Sequence, residues 1–312
     1  MELCSTVYFR RKRHGNKKGT LQRKYTITAY TFLFIPIIFF LVVRFLPMVF
    51  SLAMSFTDWN LLSKDVHFTG FDNFVKIFSD EVFLKALWNT IKYVIFGVPS
   101  VILLSLLIAM MLNRIRKFQW LFRLLYVMPY ITPLVAVSWV WRWLYQPPPM
   151  GVLNNILLNL NMPTQQFLSS TEQALISIVV TTVWIQLGYC IVIFLAGLQT
   201  IPSEYIEAAR IDGASRRQIT WKITVPLLKP ITLFLVIMQS ISFLRIFTQV
   251  YNMSVQGSGG PLNSTKPLVL YIYEKAFVNF DMGLASSASL VLFGLIMVIT
   301  FIQMKFLNEK SD

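Results

Sequence analysis

Long apolar runs alternate with short polar segments along most of the chain. A helix needs about 20 apolar residues to cross a bilayer, and runs of that order lie at 28–54, 88–112, 120–144, 173–198, 231–251 and 284–306. Residues 1–26 are basic and show no apolar periodicity, which predicts a disordered tail. The pattern therefore predicts an all-α polytopic membrane protein, with six transmembrane helices in a domain that spans residues 27–312.

Two of the runs carry further local signals. The third run contains Pro129 and Pro133, which remove backbone donors and predict a kinked helix. The first run is too long for the apolar region of a signal peptide, and no small-residue cleavage site follows it. We therefore interpret the first run as an uncleaved anchor.

The distribution of charge predicts the orientation of these helices. The 312 residues are 55% hydrophobic and carry a formal net charge of +14, and nineteen of the 28 Lys and Arg residues fall in the tail or in segments on the same side as the tail. Positive charge marks the cytoplasmic side, so both termini are predicted to be cytoplasmic. Because topology accounts for the charge, we expect lipid contact and no nucleic-acid partner.

A polar segment at 202–230 separates two of the most apolar runs. Pro202 and Glu204 are typical of a helix start, Gly213 is typical of a helix end, and Ser215 with Gln218 predicts a capping box that opens a second helix. The segment is thus predicted to form a helix, a glycine turn and another helix, within a cytoplasmic loop.

The composition of this loop suggests a docking surface. Ala208 and Ala209 are small enough to let another surface approach closely, while Glu207, Arg210 and Asp212 offer charges that can pair across it. An ordinary amphipathic loop remains the alternative on the residues alone.

Several stretches resemble a known family. Glu207-Ala208-Ala209, then Gly213, then Pro226 in "ITVPLL", are similar to the EAA signature of permease subunits of binding-protein-dependent ABC importers. The stretches "MSFTDWNLL", "FTGFDNFVKIF", "ALWNTIKYVIFGVP", "WVWRWLYQP", "IFLAGLQTIP" and "LVLYIYEKAF" resemble the carbohydrate branch, including the maltose, lactose and glycerol-phosphate permeases. One departure follows the fifth run, where family members often show a compact "MTxGGP" and this chain separates Met253-Ser254 from Gly259-Gly260-Pro261.

The resemblance implies a function and a set of partners. It implies the type I ABC importer permease fold, in a multi-pass subunit of a bacterial cell (inner or plasma) membrane importer for a sugar, an oligosaccharide or a derivative such as a glycerophosphate. The implied partners are a second homologous permease, two copies of a cytoplasmic ABC ATPase that bind ATP and Mg, and an external solute-binding protein. The loop between spans four and five would be the coupling helix that contacts the ATPase, through Glu204, Tyr205, Glu207, Ala208, Ala209, Arg210, Asp212 and Gly213.

Catalytic and metal chemistry is not expected in the chain itself. The sequence has no G-x-x-x-x-G-K-[ST] phosphate loop, so ATP hydrolysis must belong to a partner. His14 and His67 lie on opposite predicted sides, and no cluster of Cys or carboxylates accompanies either, so neither a metal site nor an enzyme site is expected. Cys4 and Cys190 are not expected to pair.

Polar residues inside the predicted spans are candidates for a solute pathway, because each is costly in lipid. By alignment with the maltose permease, five of them lie near sugar-binding positions, namely Thr182, Gln186 and Tyr189 of span four and Gln239 and Arg245 of span five. Ser242 of span five is a further polar candidate. The alternative is that these side chains only hold helices together.

Two other classes of function are compatible with six spans. A secondary transporter would need ion-pair relays or internal repeats, and neither is evident in the sequence. A membrane scaffold that docks a cytoplasmic partner would use the polar loop but not Gln186, Tyr189 and Arg245.

Overall fold

The computed structural model of the protein describes residues 17–63, 65–115 and 119–308, and within them it confirms the predicted all-α fold. These residues contain no β-strand, and only the pairs Thr57–Phe68 and Asn60–Asp281 form isolated bridges. The helices are α1 (Lys17–Phe40), α2 (Leu46–Met54), α3 (Asp72–Ser79), α4 (Glu81–Leu112), α5 (Gln119–Ile131), α6 (Leu134–Leu144), α7 (Val152–Asn159), α8 (Ala174–Gln199), α9 (Ser203–Ile211), α10 (Arg216–Ile219), α11 (Val225–Leu227), α12 (Lys229–Leu244), α13 (Thr248–Met253), α14 (Leu268–Tyr273) and α15 (Met282–Asn308).

The chain divides into two compact units, Met1–Ala53 and Met54–Asp312. In the first unit α1 begins at Lys17, so the tail predicted to be disordered over 1–26 is helical from Lys17 onward, and residues 1–16 lie outside the described residues. The predicted boundary at residue 26 lies within α1. A π-helical turn at Leu41–Phe45 links α1 to α2.

Helix length and apolar composition agree with the predicted membrane spans. Four continuous stretches in the described residues are long and apolar enough to cross a bilayer: Tyr25–Met54, Glu81–Leu112, Ala174–Gln199 and Met282–Lys305. Two bent helix pairs raise the number to six if each pair counts as one span. In the first pair the axis turns by 96° between Trp120–Ile131 and Leu134–Leu144, as expected where Pro133 cannot donate a backbone hydrogen bond.

The fifth predicted span, 231–251, is not one helix. Residues Lys229–Leu244 form α12, the backbone leaves the helix around Phe247 (φ −143°, ψ −62°), and α13 begins at Thr248. Phe247 instead packs its ring 5.2 Å from that of Tyr273. Because Leu244 before the break and Ile246 within it are apolar and buried, hydropathy alone could not reveal the break.

The main core of the second unit lies where α4, α8 and α12 pack together. Its fully buried side chains include Tyr93 of α4, Phe194 of α8 and Phe243 of α12. Gly97 permits this packing, since a Cβ at Gly97 would overlap the ring of Phe243. Gly188 has the same role between α8 and α5, where a Cβ would meet the carbonyl oxygen of Tyr126.

A second cluster joins α3, α4, α14 and α15, with Ile77, Phe83 and Tyr271 among its buried members. Buried polar side chains tie the adjoining loops to it. The amide of Asn73 donates to the carbonyls of Ser55 (3.0 Å) and Thr57 (2.7 Å), and the hydroxyl of Ser287 donates to the carbonyl of Ser55 (2.9 Å). These bonds satisfy carbonyls that burial would otherwise leave unpaired.

Candidate functional sites

The polar loop between α8 and α12 has the predicted local structure. Helix α9 ends in a Schellman turn, in which the amide of Gly213 donates to Arg210 O (3.0 Å) and that of Ala214 donates to Ala209 O (2.9 Å). Gly213 has φ +79°, a conformation that favours glycine. Ser215 and Gln218 then form the capping box at the start of α10. Helix, glycine turn and helix thus follow one another as expected.

Most of the residues predicted to contact an ATPase lie on the surface of this loop. Ala209 is the exception, because its side chain is buried within its own chain (8% exposed) and so offers no surface to a partner. In the described part of the chain Glu204, Glu207, Arg210 and Asp212 form no ion pair, as the ion pairs found there involve other residues. The exposed members of the predicted set are Glu204, Tyr205, Glu207, Ala208, Arg210, Asp212 and Gly213.

Sequence reasoning missed an apolar component of the same surface. Ile211 is 87% exposed, the highest value among the large apolar side chains of the described residues, and Tyr205 is 56% exposed. Tyr205, Ala208 and Ile211 recur every three residues and so share one face of α9. An exposed apolar stripe beside unpaired carboxylates is typical of a surface that binds another protein. The sequence signal that could have revealed this stripe was the three-residue spacing between Ala208 and Ile211.

The predicted pathway residues are brought together only in part. The amide of Gln186 on α8 donates to the hydroxyl of Ser242 on α12 (3.0 Å). The amide of Gln239 donates to the thiol sulfur of Cys190 (3.2 Å), and its Oε1 has no partner in the described structure. Two polar contacts therefore join α8 to α12 at residues that the sequence singled out.

The other three pathway candidates lie in different surroundings. Thr182 is buried and its hydroxyl donates to the carbonyl of Ile178 in its own helix (2.8 Å), which leaves it little freedom to bind a solute. Tyr189 stacks on Tyr130 of α5, with ring centroids 5.4 Å apart. Arg245 is exposed and follows the last residue of α12.

An aromatic cluster lies beyond the break in α12 and was also missed. The ring of Phe247 stacks on Tyr251 (5.4 Å), and Tyr273 contacts Phe247 (5.2 Å) and Phe277 (5.4 Å). The pairs 247/251 and 273/277 each have the spacing of four that places two rings on one helical face, and this spacing was the available signal. Tyr273 directly precedes the π-helical turn Glu274–Val278 and Phe277 lies within it, and such turns often mark functional sites.

The loop after α13, where the sequence departs from the family pattern, is well anchored. Ser254 Oγ accepts from the amide of Gly259 (3.2 Å), and the amide of Thr265 donates to Gly259 O (2.9 Å). From α4, the hydroxyl of Tyr93 donates to Thr265 O (3.0 Å), and Asn89 donates to Lys266 O (3.1 Å). The longer connection is therefore a folded element bonded to α4.

A charged network lies next to this loop. Lys266 pairs with Glu274 (2.7 Å), Lys275 pairs with Asp80 (3.4 Å), and the hydroxyl of Tyr271 donates to Asp80 (2.8 Å). Burial acts to raise the pKa of Asp80, but the Tyr271 hydroxyl, the backbone amide that Asp80 caps and the charge of Lys275 outweigh it and hold the pKa below 3.8. Burial, with the neighbouring Asp80 carboxylate, raises the pKa of Tyr271.

The described residues contain no group of three or more His, Cys, Asp or Glu side chains that could hold a metal ion. Bent apolar helices, polar contacts between them and an exposed helical loop are together typical of a polytopic membrane protein. Residues 74–311 match the family of the binding-protein-dependent transport system inner membrane component.

Individual relatives give the same family assignment. The chain is 39% identical over 291 residues to the probable ABC transporter permease protein YesP of Bacillus subtilis, covering 91% of this chain and 93% of that protein. It is 32% identical over 299 residues to the lactose transport system permease protein LacF of Rhizobium radiobacter, covering 94% and 98%. The chain therefore belongs to the family of ABC importer permeases.

The fold agrees with that assignment. A bacterial ABC transporter involved in the import of the acidic polysaccharide alginate contains a chain of the same fold, with a TM-score of 0.80 and 23% identity, covering 95% of this chain and 100% of that one. The predictions of a permease fold and of a transport subunit rather than an enzyme are thus confirmed.

Proposed function

We propose that this permease subunit imports a sugar, an oligosaccharide or a sugar derivative, driven by ATP that a separate ATPase subunit hydrolyses. The observation that carries the proposal is the position of the exposed loop, which connects directly to α8 and α12, the two helices joined by the contact between Gln186 and Ser242. A force applied to the loop thus acts on the helices that hold the candidate pathway residues. The lactose permease among the relatives supports the sugar class.

The partners follow from the surfaces that remain uncovered. The stripe of Tyr205, Ala208 and Ile211 would enter a groove of the ATPase, and Glu207 would pair with a basic residue beside that groove. Two ATPase copies, a second homologous permease and an external solute-binding protein complete the proposed complex. In this arrangement the loop and both termini face the cytoplasm of a bacterial cell, and Mg and ATP are bound by the ATPase.

The mechanism is a shift between two conformations. Closure of the ATPase pair on ATP moves α9 and α10 together, because only the short capped turn at 212–215 separates the two helices. The motion passes into α8 and α12 and opens the central path alternately to each side of the membrane. Gln186 and Ser242 offer hydrogen bonds to sugar hydroxyls, and Tyr189 offers a ring face that can stack on a sugar.

Purification from the native membrane tests the composition of the complex. The chain is isolated in mild detergent, and the subunits that accompany it are identified by mass spectrometry. We expect an ATPase and a second permease with the wild type, and loss of the ATPase alone with Glu207→Arg. Recovery of the chain without any ATPase would favour a gradient-driven transporter instead.

A further inference from the structure

A cavity of about 610 Å³ lies between the polar loop and the ends of two spans. It is formed by the last turn of α4, the end of α8, and residues of α9 and α10 with the π-helical turn that follows. Its lining residues are Met110, Asn113, Arg114, Leu198, Ile201, Ile206, Arg210, Arg216, Ile219, Thr220 and Thr224. We call this the arginine cavity, after Arg114, Arg210 and Arg216.

The charge of the arginine cavity is uncompensated in the described structure. Three guanidinium groups line it and no carboxylate does. None of the three arginines forms an ion pair within the described residues. The neighbouring positions 116–118, which lie outside the described residues, are Arg, Lys and Phe, so the sequence adds no acid beside Arg114. All three arginine side chains are exposed, so water screens part of their mutual repulsion, and an anion between them would lower the remainder.

The polar groups of the cavity are suited to a phosphate. Arginine presents a planar set of donors that binds phosphate oxygens in a bidentate manner. The amide of Asn113 and the hydroxyl of Thr224 add neutral donors, while the hydroxyl of Thr220 already donates to Arg216 O (3.0 Å). The cavity thus carries donors from α4 and from the loop around a common space.

Apolar side chains form the rest of the wall and point to an amphiphilic ligand. Met110, Leu198 and Ile201 come from the ends of α4 and α8, and Ile206 and Ile219 come from the loop. Helices that cross a bilayer end at the level of the lipid headgroups. A free anion would gain nothing from this apolar wall, whereas the acyl-chain methylenes next to the glycerol of a phospholipid would pack against it.

We propose that the arginine cavity binds the phosphate of an anionic phospholipid headgroup, such as that of phosphatidylglycerol. The bound lipid joins Arg114, beyond the end of α4, to Arg210 and Arg216 of the polar loop, and so holds the loop against the membrane-spanning helices. Of the exposed residues predicted to contact the ATPase, Arg210 lines the cavity, whereas Tyr205, Glu207 and Ala208 do not and stay free for the ATPase. Anionic lipid therefore regulates how firmly the loop is coupled to α4 and α8.

Native mass spectrometry of the full chain, purified with the subunits that accompany it, tests this site. The preparation is stripped of lipid and offered an equimolar mixture of phosphatidylglycerol and phosphatidylcholine. We expect the wild type to retain phosphatidylglycerol about tenfold in preference, equivalent to about 1.4 kcal/mol. The double variant Arg114→Gln/Arg216→Gln should lose that preference. The matched variant Arg217→Gln/Lys222→Gln removes the same charge from positions outside the cavity lining and should keep it.

Other results would overturn the proposal. Equal loss of preference in both double variants would mean general attraction of lipid to a basic surface. Displacement of phosphatidylglycerol by millimolar inorganic phosphate would assign the cavity to a free anion. If phosphatidylglycerol is preferred only after the ATPase has been removed, the arginine cavity would be assigned to a carboxylate of the ATPase. If the first double variant does not fold, the single variant Arg114→Gln replaces it, and an unchanged preference for phosphatidylglycerol would count against phosphate recognition by Arg114.

Discussion

The amide of Gln186 lies 3.0 Å from the hydroxyl of Ser242 and joins α8 to α12. Hydrogen bonds between membrane helices contribute about 0.6 kcal/mol on average, so this bond alone adds little to the stability of the fold. We propose that this polar pair, between the two helices that flank the polar loop, serves solute passage. This distinction can be measured.

Gln186→Ala and Ser242→Ala separate a pathway role from a packing role. If the pair contacts solute, we expect Gln186→Ala to reduce the initial rate of sugar uptake about tenfold or more while lowering the free energy of unfolding by only about 1 kcal/mol. Uptake and thermal unfolding are measured for both single variants and the double variant. If the variants lose uptake only in proportion to their loss of thermal stability, the two residues only hold the helices together.

The packing of α4 against α12 depends on the absence of a side chain at Gly97. Gly97→Ala should lower the free energy of unfolding by about 1–3 kcal/mol, because the new methyl group overlaps the ring of Phe243. Adding Phe243→Leu should restore part of the loss. Gly294→Ala is the matched control, since its Cβ would meet nothing within 4 Å. Thermal unfolding of the four proteins checks the prediction, and equal effects at positions 97 and 294 would refute it.

The turn between α9 and α10 requires a left-handed residue. Gly213 has φ +79°, and a Cβ there would meet no atom within 4 Å, so a substitution is opposed by the backbone conformation alone. Gly213→Ala should lower the free energy of unfolding by about 1–2 kcal/mol and weaken recovery of the ATPase. Gly213→Asn should have a smaller effect, because asparagine tolerates this conformation. Co-purification of the ATPase with each variant is the measurement. Identical recovery with both variants would argue against a rigid turn.

The Asp80 network predicts a dependence of stability on pH. The folded pKa of Asp80 lies below 3.8, so its contribution is present above the unfolded pKa and is lost as the pH falls through the folded value. We expect the thermal midpoint of the purified protein to drop as the pH is lowered below about 4. Asp80→Asn keeps a helix-capping side chain and should flatten this part of the profile. A profile unchanged by Asp80→Asn would exclude Asp80 as its source.

The sequence predicts the helical fold and the local structure of the polar loop well, because both depend on neighbouring residues. Apolar runs locate the spans, and Ser215, Gln218 and Gly213 each have a local role that a short stretch of sequence reveals. The break between α12 and α13 could not be predicted, since it depends on contacts of Phe247 with a distant ring. Burial of Ala209 likewise depends on how the loop folds back on its own chain.

The candidate pathway residues were likewise predictable only in part. Sequence reasoning selected Gln186 and Ser242, and the structure brings these two together. The sequence could not reveal that the Thr182 hydroxyl donates a hydrogen bond within its own helix, or that the Gln239 amide donates to Cys190. Residue type predicts which side chains are costly in a membrane, whereas helix rotation determines which of them face one another.

The central claim, that the α9 loop couples an ATPase to import, is tested most directly by solute uptake in cells that lack the native gene. Initial uptake of radiolabelled monosaccharides and oligosaccharides is compared after restoring the wild type, Glu207→Arg or the control Asp65→Arg, which makes the same charge reversal away from the loop. We predict uptake of at least one sugar with the wild type and with Asp65→Arg, and its loss with Glu207→Arg while the protein remains in the membrane. Uptake that is undiminished by Glu207→Arg would contradict the role assigned to this loop.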